Sequence, residues 1–246
     1  MKPKRHQDKK PKGAQAKPNK KKSLLASFEK DLEGSKFRYV NELLYTSRSD
    51  QAEQLFREKP DLFREYHEGY AHQVEDWPVN PLDVIIGHIQ QNPDLLRVVD
   101  MGCGEARLAL ECSDRTVRSF DLHKANDRIT VANLTKVPVQ KGWADAVVFC
   151  LSLMGIDWHG FIREGLRVLK QNGLMFIAEP TSRIKNMRAF KNAFEAVGLV
   201  VVAEEMNNVF VLLTLRKNTA GPAVPDANFE SFRKKARLTP CFYKRR

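Results

Sequence analysis

Cysteine is scarce in this 246-residue chain: Cys103, Cys112, Cys150 and Cys241 are all there is. No two of them form a close pair with a second pair or with histidines downstream, so no zinc-site pattern is present and no metal is expected. Sparse, unpaired thiols fit a reducing compartment rather than a disulfide scaffold. No apolar run approaches the roughly 20 residues that a membrane span needs. No apolar core follows the basic start, as it would in a secretory leader. A soluble intracellular chain without a membrane partner is expected. Between residues 2 and 22 there is no Phe, Trp, Tyr, Leu, Ile or Val, so this stretch cannot bury enough surface to offset its ordering entropy and should be disordered.

Acidic residues are almost missing from both ends. Residues 1–22 hold ten Lys/Arg against Asp8 alone, and residues 233–246 hold seven Lys/Arg and no acid. The whole chain carries +11, which leaves residues 23–232 with a net charge of −5. The body is mildly acidic between two polycationic ends. The N-terminal arm suits phosphate binding and nuclear import; a merely solubilising tail is the alternative.

From Phe37 to about Trp77, apolar residues at helical spacing (Leu55, Phe56, Leu62, Phe63, Tyr66), broken at Pro60, predict two or three short helices. Ser49 reads as an N-cap with Asp50 in the first turn, and Asn80-Pro81 as the start of a helix through about Gln91. From Leu95 the pattern changes to short apolar runs, at 95–101, 116–121, 128–133, 145–152, 173–180, 199–206 and 208–216, with helices at about 105–112, 158–170 and 184–197. Buried runs alternating with helices predict a parallel sheet covered on both faces. The last two runs, with only Asn207 and its neighbours between them, predict an antiparallel hairpin. Residues 217–229 read as a loop. An α/β, Rossmann-like, mostly parallel seven-stranded sheet ending in an antiparallel hairpin, behind an N-terminal helical extension, resembles the class I methyltransferase fold; other Rossmann-like domains share the pattern. The divisions expected are a basic tail at 1–35, the helical extension at 36–92 and the sheet domain with its basic end at 93–246.

The sharpest local signal is VVDMGCGEARLA, residues 98–109. A strand ends in Asp100, and Gly102, Cys103 and Gly104 make the turn into a helix, bringing backbone close to a ligand. A dinucleotide site wants a third glycine three residues later, where Arg107 stands. An acid before Gly-x-Gly suits S-adenosylmethionine, which presents an amino acid end and a sulfonium but no phosphate. Asp121, ending the second strand, can accept from both ribose hydroxyls; an acid facing solvent is the alternative. At the third strand's end Asn133 can accept from the cofactor's adenine amine and Leu134 can pack on the ring. Cys150 reads in three ways: a small residue lining the cofactor pocket, a plain buried thiol, or a nucleophile toward a pyrimidine carbon. CLSLMG, residues 150–155, lacks the Asn/Asp-Pro-Pro-aromatic tetrapeptide of enzymes that methylate exocyclic amines, which leans toward a ring nitrogen carrying its own lone pair. Ser152, Met154, Glu179 and Pro180 are the pocket candidates, at the ends of strands four and five.

These residues, with FRYVNELLYTSRSDQAEQLFREKPDLFREYHEGYAHQVEDWP, FDL, EGLRVLKQNGLMFIAE and LTPCFYKRR, resemble the ribosomal RNA-processing protein eight (nucleomethylin) family across about residues 36–246. The resemblance implies a nucleolar S-adenosylmethionine-dependent enzyme, without metal, that methylates ring nitrogen 1 of an adenine in large-subunit ribosomal RNA or the pre-ribosome. It also implies a chromatin or nucleolar protein partner. It places the cofactor on His67, Gly102, Asp121, Asn133, Leu134 and Cys150, with Asp100 and Gly104 beside them. Asn133 departs from the family's usual Asp and gives up a charge. The basic ends, Lys9, Lys10, Lys20, Lys21, Lys22 and Lys244, Arg245, Arg246, are the expected RNA contacts, and Tyr243 either joins them or packs back on the domain. Two other functions fit the same residues: a cofactor-sensing adaptor that recruits nucleic acid or chromatin without methyl transfer, and a protein methyltransferase acting on basic tails.

Overall fold

The computed structural model describes residues 34–75, 77–218 and 224–242. The N-terminal arm, with Lys9, Lys10, Lys20, Lys21 and Lys22, and Tyr243, Lys244, Arg245 and Arg246 lie outside them.

Three helices precede the sheet: α1 over residues 34–46, α2 at Ser49–Glu58 and α3 at Pro60–Glu75. Pro60, a break in the sequence pattern, starts α3, where its missing N–H costs nothing. Ser49 is not the cap of α2. Arg48 holds that position, and Ser49 donates its hydroxyl and amide to Asp157 at 2.6 and 3.0 Å, so its side chain ties the helix start to the sheet domain. Phe37, Val40 and Leu44 of α1 join Ala52 and Phe56 of α2 and Phe63 and Tyr66 of α3 in a small separate core. Phe37 stacks on Tyr66 with ring centroids 5.6 Å apart, and Phe56 meets Phe63 edge-on at 5.2 Å. α1 and α3 approach so closely that a Cβ on Gly69 would stand 2.7 Å from the Phe37 ring. α4 (Pro81–Gln91) opens as its sequence predicts, the Asn80 side chain accepting from Leu82 N at 2.9 Å.

The strands are β1 (Arg97–Met101), β2 (Thr116–Asp121), β3 (Ile129–Val131), β4 (Ala144–Cys150), β5 (Leu169–Pro180), β6 (Leu199–Met206) and β7 (Phe210–Lys217). They lie in the order β3-β2-β1-β4-β5-β7-β6, with β7 antiparallel to both neighbours and the other pairings parallel. Asn207 makes the hairpin turn, its Oδ1 accepting from the amides of Val209 and Phe210 at 2.8 Å each. This is the Rossmann-like class I methyltransferase architecture. Side chains alternate between the faces. Val98, Val148 and Phe176 pack under α4 and α5 (Arg107–Glu111), whereas Val99, Val147 and Ile177 pack under α6 (His159–Val168), α7 (Met187–Glu195) and α8 (Asp226–Lys235).

Several boundaries move for identifiable reasons. The helix expected at 105–112 shortens because the turn runs on through Ala106, at φ +58°. The helix expected to 170 stops at Val168: β5 begins at Leu169, opposite Ala144, and reaches Leu174, opposite Ala146, through an irregularity that holds Asn172 at φ +60°. The run at 128–133 keeps only Ile129–Val131 as strand, because Asn133 Oδ1 accepts from Thr135 N at 3.0 Å and turns the chain. The helix expected at 184–197 narrows to α7, capped by Asn186. The loop expected at 217–229 is corrected by α8, whose Phe229 and Phe232 lie one turn apart and are buried.

At the foot of β4, Asp145 is buried, which raises its carboxyl, but bonds from Arg97 N (2.7 Å), Arg97 Nη2 (3.0 Å) and Lys170 Nζ (2.6 Å) outweigh burial and bring it down to about 2. Because the folded value lies below the unfolded one, the stabilisation is present above pH 3.8 and is lost as pH falls toward 2. Asp145→Asn is therefore expected to cost about 2 kcal/mol at pH 7 and to flatten the acid limb of the stability curve. Denaturant titration at pH 3 and pH 7 checks it; equal losses at both would refute the linkage.

Candidate functional site

The parallel strands end on one edge of the sheet. There a cavity of about 610 Å³ opens between the ends of β1, β2 and β4 and the roof formed by α1–α3, within the roughly 300–1,000 Å³ of small-molecule sites. Its floor is the glycine turn. Gly102 N and Cys103 N donate to Phe120 O at 2.8 and 3.1 Å, pinning the end of β1 to β2. Gly102 sits at φ +80°, and a Cβ there would run into Ser152; at Gly104, φ +57°, a Cβ would lie 3.3 Å from His67 Cε1. No other residue fits either position without displacing a wall of the cavity. Ser152 Oγ donates to Met101 O at 2.5 Å, tying the bend after β4 to the turn after β1. That bend is held by Leu151 at φ +58°, a conformation disfavoured for a bulky side chain, with its amide on Ala178 O at 2.9 Å.

Two carboxylates meet at the turn. Asp121 accepts from Gly104 N through one oxygen and from Leu122 N through the other, both at 2.7 Å. Burial pushes its carboxyl up to about 6 against the pull of those amides. Asp100 is 2% exposed, and burial, with Asp121 nearby, pushes it up to about 7. His67, on α3, lines the opposite wall against Phe63, with ring centroids 4.1 Å apart. Burial and the neighbouring His123 bring His67 down to about 4, so it is neutral at physiological pH.

Leu134, Cys150, Ser152 and Met154 also line the cavity. Burial, then Asp100, hold the Cys150 thiol far above its ordinary value, so no thiolate nucleophile forms there. Three residues singled out from the sequence are elsewhere. Asn133 does not line the cavity; its Oδ1 is taken by Thr135 N and Oγ1, at 3.0 and 2.8 Å, and its amide faces Glu53 at 3.3 Å. Glu179 and Pro180 are corrected as pocket candidates. Glu179 is 1% exposed, pairs with Arg183 and accepts from Leu153 N at 3.1 Å, while Pro180 is buried in the ladder opposite Phe210. Among the residues missed, Tyr66 lines the roof and donates to Met154 Sδ at 3.3 Å. Its signal in the sequence is YHEGY, where it stands beside His67. Arg107, read only as the missing third glycine, lines the cavity and pairs with Asp83 of α4.

A family model described as a hypothetical methyltransferase matches residues 23–246. The chain belongs to this methyltransferase family. It is 39% identical over 225 residues to mouse ribosomal RNA-processing protein 8, covering 91% of this chain and 48% of that protein. It is 40% identical over 201 residues to the Saccharomyces cerevisiae protein named 25S rRNA (adenine(645)-N(1))-methyltransferase, covering 68% of this chain and 51% of that one. The chain thus spans about half the length of both relatives. Among solved structures, Burkholderia thailandensis 1,6-didemethyltoxoflavin-N1-methyltransferase, with 1,6-didemethyltoxoflavin and S-adenosylhomocysteine bound, aligns at a TM-score of 0.51 and 15% identity over 65% of this chain and 87% of that one. That likeness is one of fold. The family is the one its sequence motifs resembled, and the cavity of this chain lies where open α/β sheets place ligands, beyond the carboxyl ends of the strands.

Proposed function

We propose that this chain is a nuclear, nucleolar methyltransferase that binds S-adenosylmethionine in the 610 Å³ cavity and modifies ring nitrogen 1 of an adenine in large-subunit ribosomal RNA. The observation that carries the reading is the glycine turn of β1, with no room for a Cβ at Gly102, flanked by the buried Asp100 and the half-buried Asp121 and roofed by helices. The donor set fits the group: Asp121 offers its carboxylate to ribose hydroxyls, Asp100 offers negative charge to an ammonium, and Leu134 offers an apolar face to adenine. Asn133, with its oxygen engaged by Thr135, contributes less than its position in the sequence implies. The relatives' names supply the substrate class. Within the extension at 36–92, α1–α3 serve as the roof, 93–246 serve as the cofactor domain, and the basic ends outside the described residues serve as RNA contacts.

When bound, the cofactor supplies an activated methyl on a sulfonium. The chain's residues have to align the acceptor, exclude water and leave the acceptor lone pair free. Met154 and Tyr66 meet in the cavity lining, joining the bend after β4 to the roof. Glu179 is committed to Arg183 and Cys150 is a neutral thiol, so neither acts as base or nucleophile. A ring nitrogen needs neither. Because that nitrogen pairs in duplex RNA, the target adenine has to be unpaired or extruded.

The two carboxylates make binding pH-dependent. Each is neutral in the folded chain below about 6 to 7 and ionises as pH rises. A cationic ligand favours the charged forms, so affinity for S-adenosylmethionine is expected to rise between pH 5.5 and 7.5, with protons released on binding. Calorimetry in two buffers of different ionisation heat measures that release; zero release at pH 6.5 would contradict the assignment. Function is tested by mapping methyladenosine stops in large-subunit RNA with and without the gene, beside transfer assays using the purified chain. Loss of one stop without the gene is the expected result. Cofactor binding with no transfer to RNA would instead favour an adaptor, and transfer surviving ribonuclease would favour a protein methyltransferase.

A further inference from the structure

Outside the cavity, the segment after Glu230 has no part in the site so far described. Arg233, Lys234, Lys235 and Arg237 are four exposed cations within five residues, and no acid occurs from there to the end of the chain. Glu230 pairs with Arg233 at 3.3 Å, and no carboxylate pairs with Lys234, Lys235 or Arg237 among the described residues. Against a body of net charge −5, this is a concentrated basic patch.

Its course is fixed. Ala236 O takes a bond from His159 Nε2 at 3.0 Å. Thr239 exchanges two bonds with Arg183, N to O at 2.9 Å and O from Nε at 3.0 Å, and Cys241 O accepts from Asn41 Nδ2 of α1 at 2.8 Å. The strap therefore runs from α8 to the roof of the main cavity. Beneath it lies a second cavity of about 220 Å³, walled by Arg237, Leu238 and Pro240 on one side and Gly155, Ile156 and His159 on the other. Gly155 lines both cavities. Two large apolar side chains stand exposed on these elements, Ile156 at 57% and Phe242 at 50%. Cations beside exposed apolar and aromatic faces are the elements of a single-strand nucleic-acid surface, whereas an acidic peptide would need the cations alone.

We propose that residues 233–242 form a track for single-stranded RNA leading to the cavity: Lys234, Lys235 and Arg237 contact successive phosphates, and Phe242 stacks on a base flanking the target. The proposal rests on the reading that the substrate is RNA. It differs from the residues beyond 242 at the same basic end in belonging to the folded body, on α8 and the strap that reaches the roof.

The test uses the full chain and a fluorescent single-stranded RNA, titrated across salt. The triple variant Lys234→Gln, Lys235→Gln, Arg237→Gln should bind at least tenfold more weakly at 0.15 M salt, and its salt slope should shrink by about two, since each single-strand phosphate contact contributes roughly 0.7. Phe242→Ala should weaken binding about tenfold with an unchanged slope, the mark of lost stacking rather than lost charge. S-adenosylhomocysteine affinity should be unaltered in both. A control triple toward the opposite edge of the sheet, Arg118→Gln, Lys141→Gln, Arg216→Gln, removes the same charge and should change the slope by less than half as much. Equal slopes in the two triples, or RNA affinity unchanged in the first, overturn the track while leaving the RNA reading intact. Selective loss of poly-glutamate binding in the first triple assigns the patch to an acidic protein partner and also overturns it. A parent chain that neither binds nor methylates RNA overturns both.

Discussion

If Asp121 accepts from both ribose hydroxyls as proposed, Asp121→Ala should lower affinity for S-adenosylhomocysteine at least about 100-fold, because two charge-assisted hydrogen bonds are worth roughly 1.5–3 kcal/mol each. The fold should survive. Burial lifts the Asp121 carboxyl to about 6, so its charged form is held at a cost at pH 7.5, and removing it offsets the acceptors lost to Gly104 N and Leu122 N. Unfolding should stay within a few degrees of the parent. Calorimetric titration with S-adenosylhomocysteine beside a thermal melt makes the measurement. Affinity within threefold of the parent would reduce Asp121 to a brace for the glycine turn. Gly102→Arg, the obvious alternative, is a poorer test: φ is +80° and even a Cβ meets Ser152, so lost binding and lost folding would arrive together.

The largest effect on stability is expected at Arg183. Its guanidinium is 2% exposed, pairs with Glu179, donates to Leu153 O at 2.9 Å and Thr239 O at 3.0 Å, and lies over the Tyr45 ring at 4.6 Å. Arg183→Met strands Glu179 without its counter-charge, and breaking such a buried pair from one side costs about 3–5 kcal/mol. For a domain of this size that is roughly a 10 °C fall in unfolding temperature. Adding Glu179→Gln should recover part of the loss, because the isolated charge goes with it. A single-variant shift below about 3 °C would mean that water reaches the pair and that it contributes little. The exposed pair Arg64–Asp61 provides the contrast; Arg64→Met there should change little.

The two residues illustrate what a sequence can convey. The place of Asp121 beside the glycine turn was legible because it is local: it closes a strand about one crossover after that turn, and pairing of β1 with β2 brings turn and strand end together. The core strands were legible for a similar reason, since continuous apolar runs such as Val147 to Phe149 fit only a strand covered on both faces. Glu179 misled because it too ends a strand, yet its partner lies in a short turn four residues on, among groups gathered from residues 45, 153 and 239. Nothing in local spacing shows that convergence. α8 escaped because Phe229 and Phe232 stand among charges just after a Pro- and Ala-rich loop, and their burial depends on Trp158 and Phe194, far away in sequence. Asn133 was read for the ligand, but short polar side chains readily bond the backbone two residues on, and here the backbone took its oxygen.

The bond from Asn41 to Cys241 joins residues 200 positions apart and fastens the roof to the strap. The two residues close a loop of some 200 residues, and closing a loop of that length costs chain entropy that is recovered only once the intervening sheet has brought its ends together. The tie between roof and strap is therefore expected to be among the last contacts to form as the domain folds.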